Sequence, residues 1–115
     1  MKLMDSNVTN LLSKALDVYS LRQKLTAANI ANIDTPDFTA KQLSFEDQLQ
    51  TAMSTDSNPA DLSKVEPKVV DSGEKPVIEN QLMDLAQNQI QVQLAARVLR
   101  DNFNQMRTAI SGTPR

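Results

Sequence analysis

Residues 78–110 read IENQLMDLAQNQIQVQLAARVLRDNFNQMRTAI. Large apolar side chains fall at Ile78, Leu82, Leu85, Val92, Leu99, Phe103, Met106 and Ile110, and Gln89 and Ala96 fill the two remaining places of the series. The steps alternate between four and three, the spacing of a coiled-coil seam and not of a strand. Neither Pro nor Gly interrupts the run, while Gly112 and Pro114 follow at once and supply a stop. The reading is one helix of roughly 50 Å at 1.5 Å per residue. Its seam, Ile78, Leu82, Leu85, Val92, Ala96, Leu99, Phe103, Met106 and Ile110, is a packing surface, within the chain or between chains.

A second long helix is expected at the other end, over about residues 4–33. Asp5 or Ser6 can cap its start. Val8, Leu11, Ala15, Val18 and Leu25 form one apolar stripe, interrupted by Arg22; Leu12, Leu16, Tyr19, Ile30 and Ile33 form another beside it. A face that wide needs cover on more than one side. Pro36 drives Thr35 out of helical geometry, and Asn32 and Asp34 suit a helix end. Two helices of similar length at opposite ends predict an antiparallel pair.

The middle differs. Leu43, Phe45, Leu49 and Met53 make a short amphipathic pattern, and residues 54–76 are polar, with Pro59, Pro67, Gly73 and Pro76. That stretch reads as extended or mobile. The expected architecture is therefore all-α: long terminal helices as an antiparallel coiled-coil pair, with an extended or disordered middle segment. The division is residues 1–35 for the first helix, 36–76 for the turn, short amphipathic segment and linker, and 77–115 for the second helix.

Composition narrows function. The 115 residues include 3 Phe, 1 Tyr, no Trp and 2 Gly. With so little aromatic area to bury, one chain builds a thin core. One seam does not outweigh the entropy of ordering a long helix. The monomer is expected to be weakly folded alone, its core completed by neighbours. There is no Cys and no His, which removes thiol chemistry, disulfides, Cys/His zinc sites and an imidazole base. The remaining carboxylates, Asp34, Asp37, Glu46 and Asp47 among them, lack Ca²⁺-loop spacing, so no metal or cofactor is expected. A net charge of −2 argues against nucleic acid. No segment is apolar for long enough to span a membrane, and the N-terminus has no signal-peptide core.

Residues 28–49 read ANIANIDTPDFTAKQLSFEDQL. This stretch resembles the N-terminal signature of bacterial flagellar basal-body rod proteins, in which an Asn-Ile-Ala-Asn core precedes Asp or Asn, Thr, Pro, Gly and Tyr. Asn29, Ile30, Ala31, Asn32, Asp34, Thr35 and Pro36 match it. Residues 21–25 and the terminal run 85–110 are also similar to that family. Asp37 stands where the family usually has Gly, which matters if that backbone needs positive φ. Phe38 stands where Tyr is common.

The resemblance implies a structural subunit and no enzyme. Short length and the direct passage from Thr-Pro to a Phe-containing segment look most like a proximal rod member. Such proteins are exported unfolded through the flagellar type III apparatus without signal cleavage. They polymerise into the periplasm-spanning drive shaft that serves motility. Implied partners are copies of itself, other rod proteins, the ring/rod adaptor protein and the export machinery, with no small-molecule substrate. Phe45 and Leu49 resemble the Phe-x-x-x-hydrophobic export-gate recognition motif, but are equally two anchors of a short helix. Asn29 and Asn32 read either as a polar helix end or as a register-fixing contact. Arg97, Arg100 and Arg107 read as a solvated face or as ion pairs between subunits. A soluble helical chaperone or adaptor that binds partner helices is the alternative from another class.

Overall fold

In the computed structural model, residues 6–55 and 62–111 are described. The order of elements is α1 (Ser6–Ala31), β1 (Lys41–Ser44), α2 (Glu46–Thr55), β2 (Lys68–Asp71) and α3 (Ile78–Ser111). Asp5, one of the two expected caps, and the expected stop at Gly112 and Pro114 lie outside the described residues. The long helices α1 and α3 pack against each other along their length. Contacts at both ends fix their antiparallel sense: Asn102 lies against Thr9, and Gln81 against Asn29. The molecule extends 60 × 32 × 14 Å, with a radius of gyration of 17.4 Å. A compact chain of this size has about 13 Å, so the fold is a rod-like helix pair with a small lobe at one side.

That lobe corrects the expectation of an all-α chain with an unstructured middle. The described residues are mostly helical, at 70%, but β1 and β2 form a two-stranded antiparallel sheet. Lys41 pairs with Asp71, Gln42 with Val70, Leu43 with Val69 and Ser44 with Lys68. Pattern reading misses such strands because each has four residues, the shortest run that can carry a period-2 signal. In addition, β2 is exposed along its whole length, so its residues show no alternation of apolar and polar. The segment before β2 also turns back onto the helices. Leu62 is buried, Val65 packs on the core, and Lys14 Nζ donates to Glu66 Oε1 at 2.8 Å.

The core is small and sits beneath the lobe. Val18, Leu43 and Phe45 are its buried centre, with Tyr19, Leu25, Leu49 and Val65 around them. The rest of the α1–α3 contact is unlike a usual seam. On α3 the buried or half-buried positions include the series Gln81, Leu85, Asn88, Val92, Ala95, Leu99, Asn102 and Met106. Their steps are also four and three. The face toward α1 thus shares Leu85, Val92, Leu99 and Met106 with the sequence-read series but takes its other file one residue earlier. Leu82, Phe103 and Ile110 stand outside, at 52%, 49% and 84% exposure. Ile78 is also exposed, and Ala96 is half-buried. An apolar heptad does not distinguish its two neighbouring files. What turns α3 is the set of hydrogen bonds that the amide file makes with α1.

Candidate functional site

Of the signature residues, Asn29 forms the junction at which α1, the sheet and α3 meet. Asn29 is buried, at 3% exposure. Its Nδ2 donates to the Lys41 carbonyl at 2.9 Å and to Gln81 Oε1 at 3.1 Å, and its Oδ1 accepts from the Lys41 N–H at 2.9 Å. One side chain therefore joins three elements. A primary amide placed this way copies the hydrogen-bond pattern of a neighbouring strand. Arg22, which seemed only to interrupt an apolar stripe, extends the arrangement. Its Nη2 donates to the Leu43 carbonyl at 2.9 Å, and Nη1 and Nη2 grip both Glu46 oxygens at 2.9 and 2.7 Å. This bidentate bond is the main reason that Glu46 titrates below the usual carboxylate range. Burial, with a smaller contribution from Glu46, raises Tyr19.

Asn32 has a different task. Its Nδ2 donates to the Ala28 carbonyl at 2.9 Å, and its Oδ1 accepts from the Thr35 hydroxyl at 3.1 Å. It closes the end of α1 by adding a second donor to a carbonyl that already accepts the Asn32 backbone N–H at 3.0 Å. Thr35-Pro36-Asp37-Phe38 follows as a turn closed by Phe38 N–H to the Thr35 carbonyl at 3.3 Å. Pro36 suits its second position, and Asp37 has φ 62°. That is the type II pattern, which favours Gly at the third position. Ile30, Ala31 and Asp34 make no side-chain hydrogen bond among the described residues. Ile30 is half-buried, and Ala31 and Asp34 are exposed.

On the opposite side of the sheet, Asp71 receives the Thr39 hydroxyl, the Gly73 N–H at 2.9 Å and Lys41 Nζ at 3.0 Å. These bonds, led by that of Thr39, lower its carboxyl to about 2. Lys41 also lies over the Phe38 ring, 4.9 Å from its centre. Phe45, at 2% exposure, is at the centre of the core. Leu49 packs beside it, with its N–H on the Phe45 carbonyl at 2.8 Å.

The amide file of α3 was not singled out from sequence. Asn88, at 2% exposure, donates to the Tyr19 carbonyl at 2.8 Å, and Asn102 to Thr9 Oγ1 at 3.4 Å. Thr26 is buried and donates to the Arg22 carbonyl at 3.0 Å. The available signal was the heptad spacing of Gln81, Asn88 and Asn102, with Ala95 in the third place of the series. The opposite side of α3 is apolar: Met83, Ile90, Leu94 and Val98 are exposed at 70%, 65%, 61% and 43%. Arg97, Arg100 and Arg107 are exposed there too, and Arg107 bonds Asn104 at 3.0 Å. A groove of about 410 Å³ runs between α1, β1 and α3, lined by Arg22, Thr26, Asn29, Gln81, Asp84 and Asn88 among others. No cluster of potential metal ligands exists among the described residues. The arrangement is a junction and two helix faces, suited to packing.

The chain matches no protein-family model. It is, however, 30% identical to the flagellar basal body rod protein FlgB of Bacillus subtilis, over 97% of this chain and 98% of that protein. It is 50% identical over 50 residues to FlgB of Borreliella burgdorferi, covering 43% of this chain and 37% of the other. With FlgB of Yersinia ruckeri it shares 48% over 40 residues, 35% of this chain and 29% of that one. End-to-end similarity at that level, together with the signature turn that follows α1 and the pair of long terminal helices, places the chain in the FlgB family of flagellar basal-body rod proteins, as a structural protein and not an enzyme.

Proposed function

We propose that this chain is a subunit of the proximal rod, exported unfolded through the flagellar type III apparatus and polymerised in the periplasm into the drive shaft for motility. It packs against copies of itself, other rod proteins and the ring/rod adaptor protein. One observation carries this reading. The helix α3 turns an amide file inward and leaves Leu82, Met83, Ile90, Leu94, Val98, Phe103 and Ile110 exposed. Apolar surface on that scale marks a contact face, and a repeated head-to-tail contact builds a filament. A chain without Cys also avoids disulfide trapping in an oxidising compartment. Under this reading residues 1–35 and 77–115 form the rod core, and residues 36–76 carry the turn, the sheet and the Phe45–Leu49 pair.

The export role of Phe45 and Leu49 is compatible with their burial, because recognition precedes folding. The same two side chains dock on the export gate in the unfolded chain and fill the core afterwards. Gene deletion, complementation and mass spectrometry of isolated basal bodies test the assignment. The chain is expected in the rod fraction, and loss of the gene is expected to abolish the external flagellum. A chain confined to the cytoplasm, as a chaperone or adaptor is, refutes it.

A further inference from the structure

We propose that the groove between α1, β1 and α3 receives the Arg100 side chain of a second copy of this chain, whose guanidinium bonds to Asn88 Oδ1 and pairs with Asp84. The inference rests on the rod reading above and deepens it by naming one contact between copies.

The groove holds an acceptor that the folded chain leaves unmet. Asn88 lines it and is 2% exposed. Its Nδ2 serves the Tyr19 carbonyl, but its Oδ1 is buried with no hydrogen-bond partner among the described residues. Such an atom is costly and calls for a donor. Asp84, one turn earlier on α3, lines the same groove. It is exposed and enters no ion pair among the described residues. Its neighbours three and four residues away are Asn80, Gln81, Gln87 and Asn88, none of them a cation. The other charges lining the groove are already matched: Arg22 grips Glu46, and Lys41 pairs with Asp71. One acceptor oxygen and one negative charge remain. A guanidinium meets both at once, because its planar fork carries five donors and a positive charge. Arg22 does the same nearby, reaching the Leu43 carbonyl and the Glu46 carboxylate together. Gln87 and Gln91 border the groove with side chains that make no hydrogen bond among the described residues, so entry past them breaks none.

Charge complementarity identifies the source. Further along α3, Arg97, Arg100 and Arg107 are exposed. Arg100 is the least compensated of them. It enters no ion pair among the described residues, and its neighbours three and four residues away are Ala96, Arg97, Phe103 and Asn104. A like charge therefore stands beside it and no anion does. The unmet cation and the unmet acceptors lie on one helix, roughly 24 Å apart at 1.5 Å per residue, so they can join only between copies. With copies pointing the same way, a stagger of that length brings them together. Apolar surface flanks both partners of the pair: Leu82 and Met83 beside Asp84, and Phe103 beside Arg100, are exposed. The groove and the arginine stripe are different surfaces, so the contact is head-to-tail and repeats from copy to copy.

Reciprocal charge exchange is the test. Asp84→Arg and Arg100→Asp each set like charges against each other across the contact. Both positions are exposed and unbonded among the described residues, so the isolated variants are expected to keep the far-UV CD melt of the unsubstituted chain. Recovery of each in basal bodies is expected to fall by about tenfold or more. The two substitutions in one chain are expected to restore it, because the charges meet again with their signs exchanged. A doubly substituted chain recovered no better than the single variants overturns the proposal, as do single variants recovered like the unsubstituted chain. A benzophenone-bearing residue in place of Gln87, irradiated in basal bodies, reads the contact without changing a charge. Cross-linking to α3 of a second copy supports it. Cross-links only to a different protein, or none, overturn it. The rod assignment fails separately, if the unsubstituted chain is itself missing from basal bodies.

Discussion

Replacing Asn29 tests the junction most directly. Asn29→Ala removes three hydrogen bonds from a side chain that is 3% exposed. Each is worth about 1 kcal/mol net, and orphaned buried partners raise the cost. The better helix propensity of Ala returns about 0.5 kcal/mol. The expected loss is therefore ~2–4 kcal/mol, a large part of the stability of an ordinary domain. In a chain of this length it corresponds to a fall in melting temperature of roughly 8–16 °C. Far-UV CD at fixed protein concentration measures the melt, and hydrogen exchange at the Lys41 amide reports the local break. Asn29→Asp separates this account from a simple packing effect. The carboxylate keeps an acceptor for the Lys41 N–H. It also sets a charged oxygen against the Lys41 carbonyl and Gln81 Oε1, where Asn29 donates. This variant is expected to be destabilised at neutral pH by at least as much as Ala, and to recover in part in acid when the carboxyl can donate. A melt of Asn29→Asp equal to that of the unsubstituted chain at neutral pH refutes the bonding scheme.

Three further outcomes follow from the same geometry. Asp37 sits at φ 62°, so Asp37→Gly is expected to match or raise the melting temperature while Asp37→Val lowers stability by about 1–2 kcal/mol; the reverse order by CD refutes the type II assignment. Asp71 is lowered to about 2 from an ordinary value of 3.8. Its contribution is therefore full above the unfolded value and lost as pH falls toward 2; melts across that window are expected to flatten in Asp71→Asn. Ile90→Gln, at a 65% exposed position, is expected to change the isolated chain by less than about 0.5 kcal/mol and to reduce incorporation into basal bodies.

Sequence reading found the elements whose signals are long. Both terminal helices and the stop around Asn32 to Pro36 were legible, because helical period, capping residues and proline act locally and repeat. The sheet was not. Four-residue strands carry little pattern, and β2 shows no alternation because none of it is buried. Arg22 was legible only as a polar interruption, since its use depends on Leu43 and Glu46 arriving from across the turn. The rotation of α3 was hidden for a related reason. An apolar stripe signals burial somewhere, but does not say whether the cover is the same chain or a neighbour. Here Leu82 and Phe103 stand exposed, while Asn88 and Asn102 turn inward.

That inversion has a physical rationale in register. Two long helices packed by aliphatic residues alone can slip by one heptad, seven residues, and still bury a similar area. The α1–α3 contact resists such a slip because its polar groups have single matching partners. Gln81 needs Asn29, Asn88 needs the Tyr19 carbonyl, and Asn102 needs Thr9. A slip by one heptad would bring Ala95 or Gln81 to the place of Asn88 and leave buried amides unpaired, at about 1–3 kcal/mol each. Buried Asn residues set coiled-coil register in the same way, with some loss of stability. The outcome is a chain whose internal alignment is specified by amides and whose α3 keeps large apolar side chains such as Leu82, Met83, Ile90 and Leu94 exposed. Asn88→Leu should therefore make the isolated chain as stable or more stable, yet loosen its register. Distances between spin labels at the two ends of α1 and α3 measure this: a single narrow distribution in Asn88→Leu, as narrow as in the unsubstituted chain, refutes the argument.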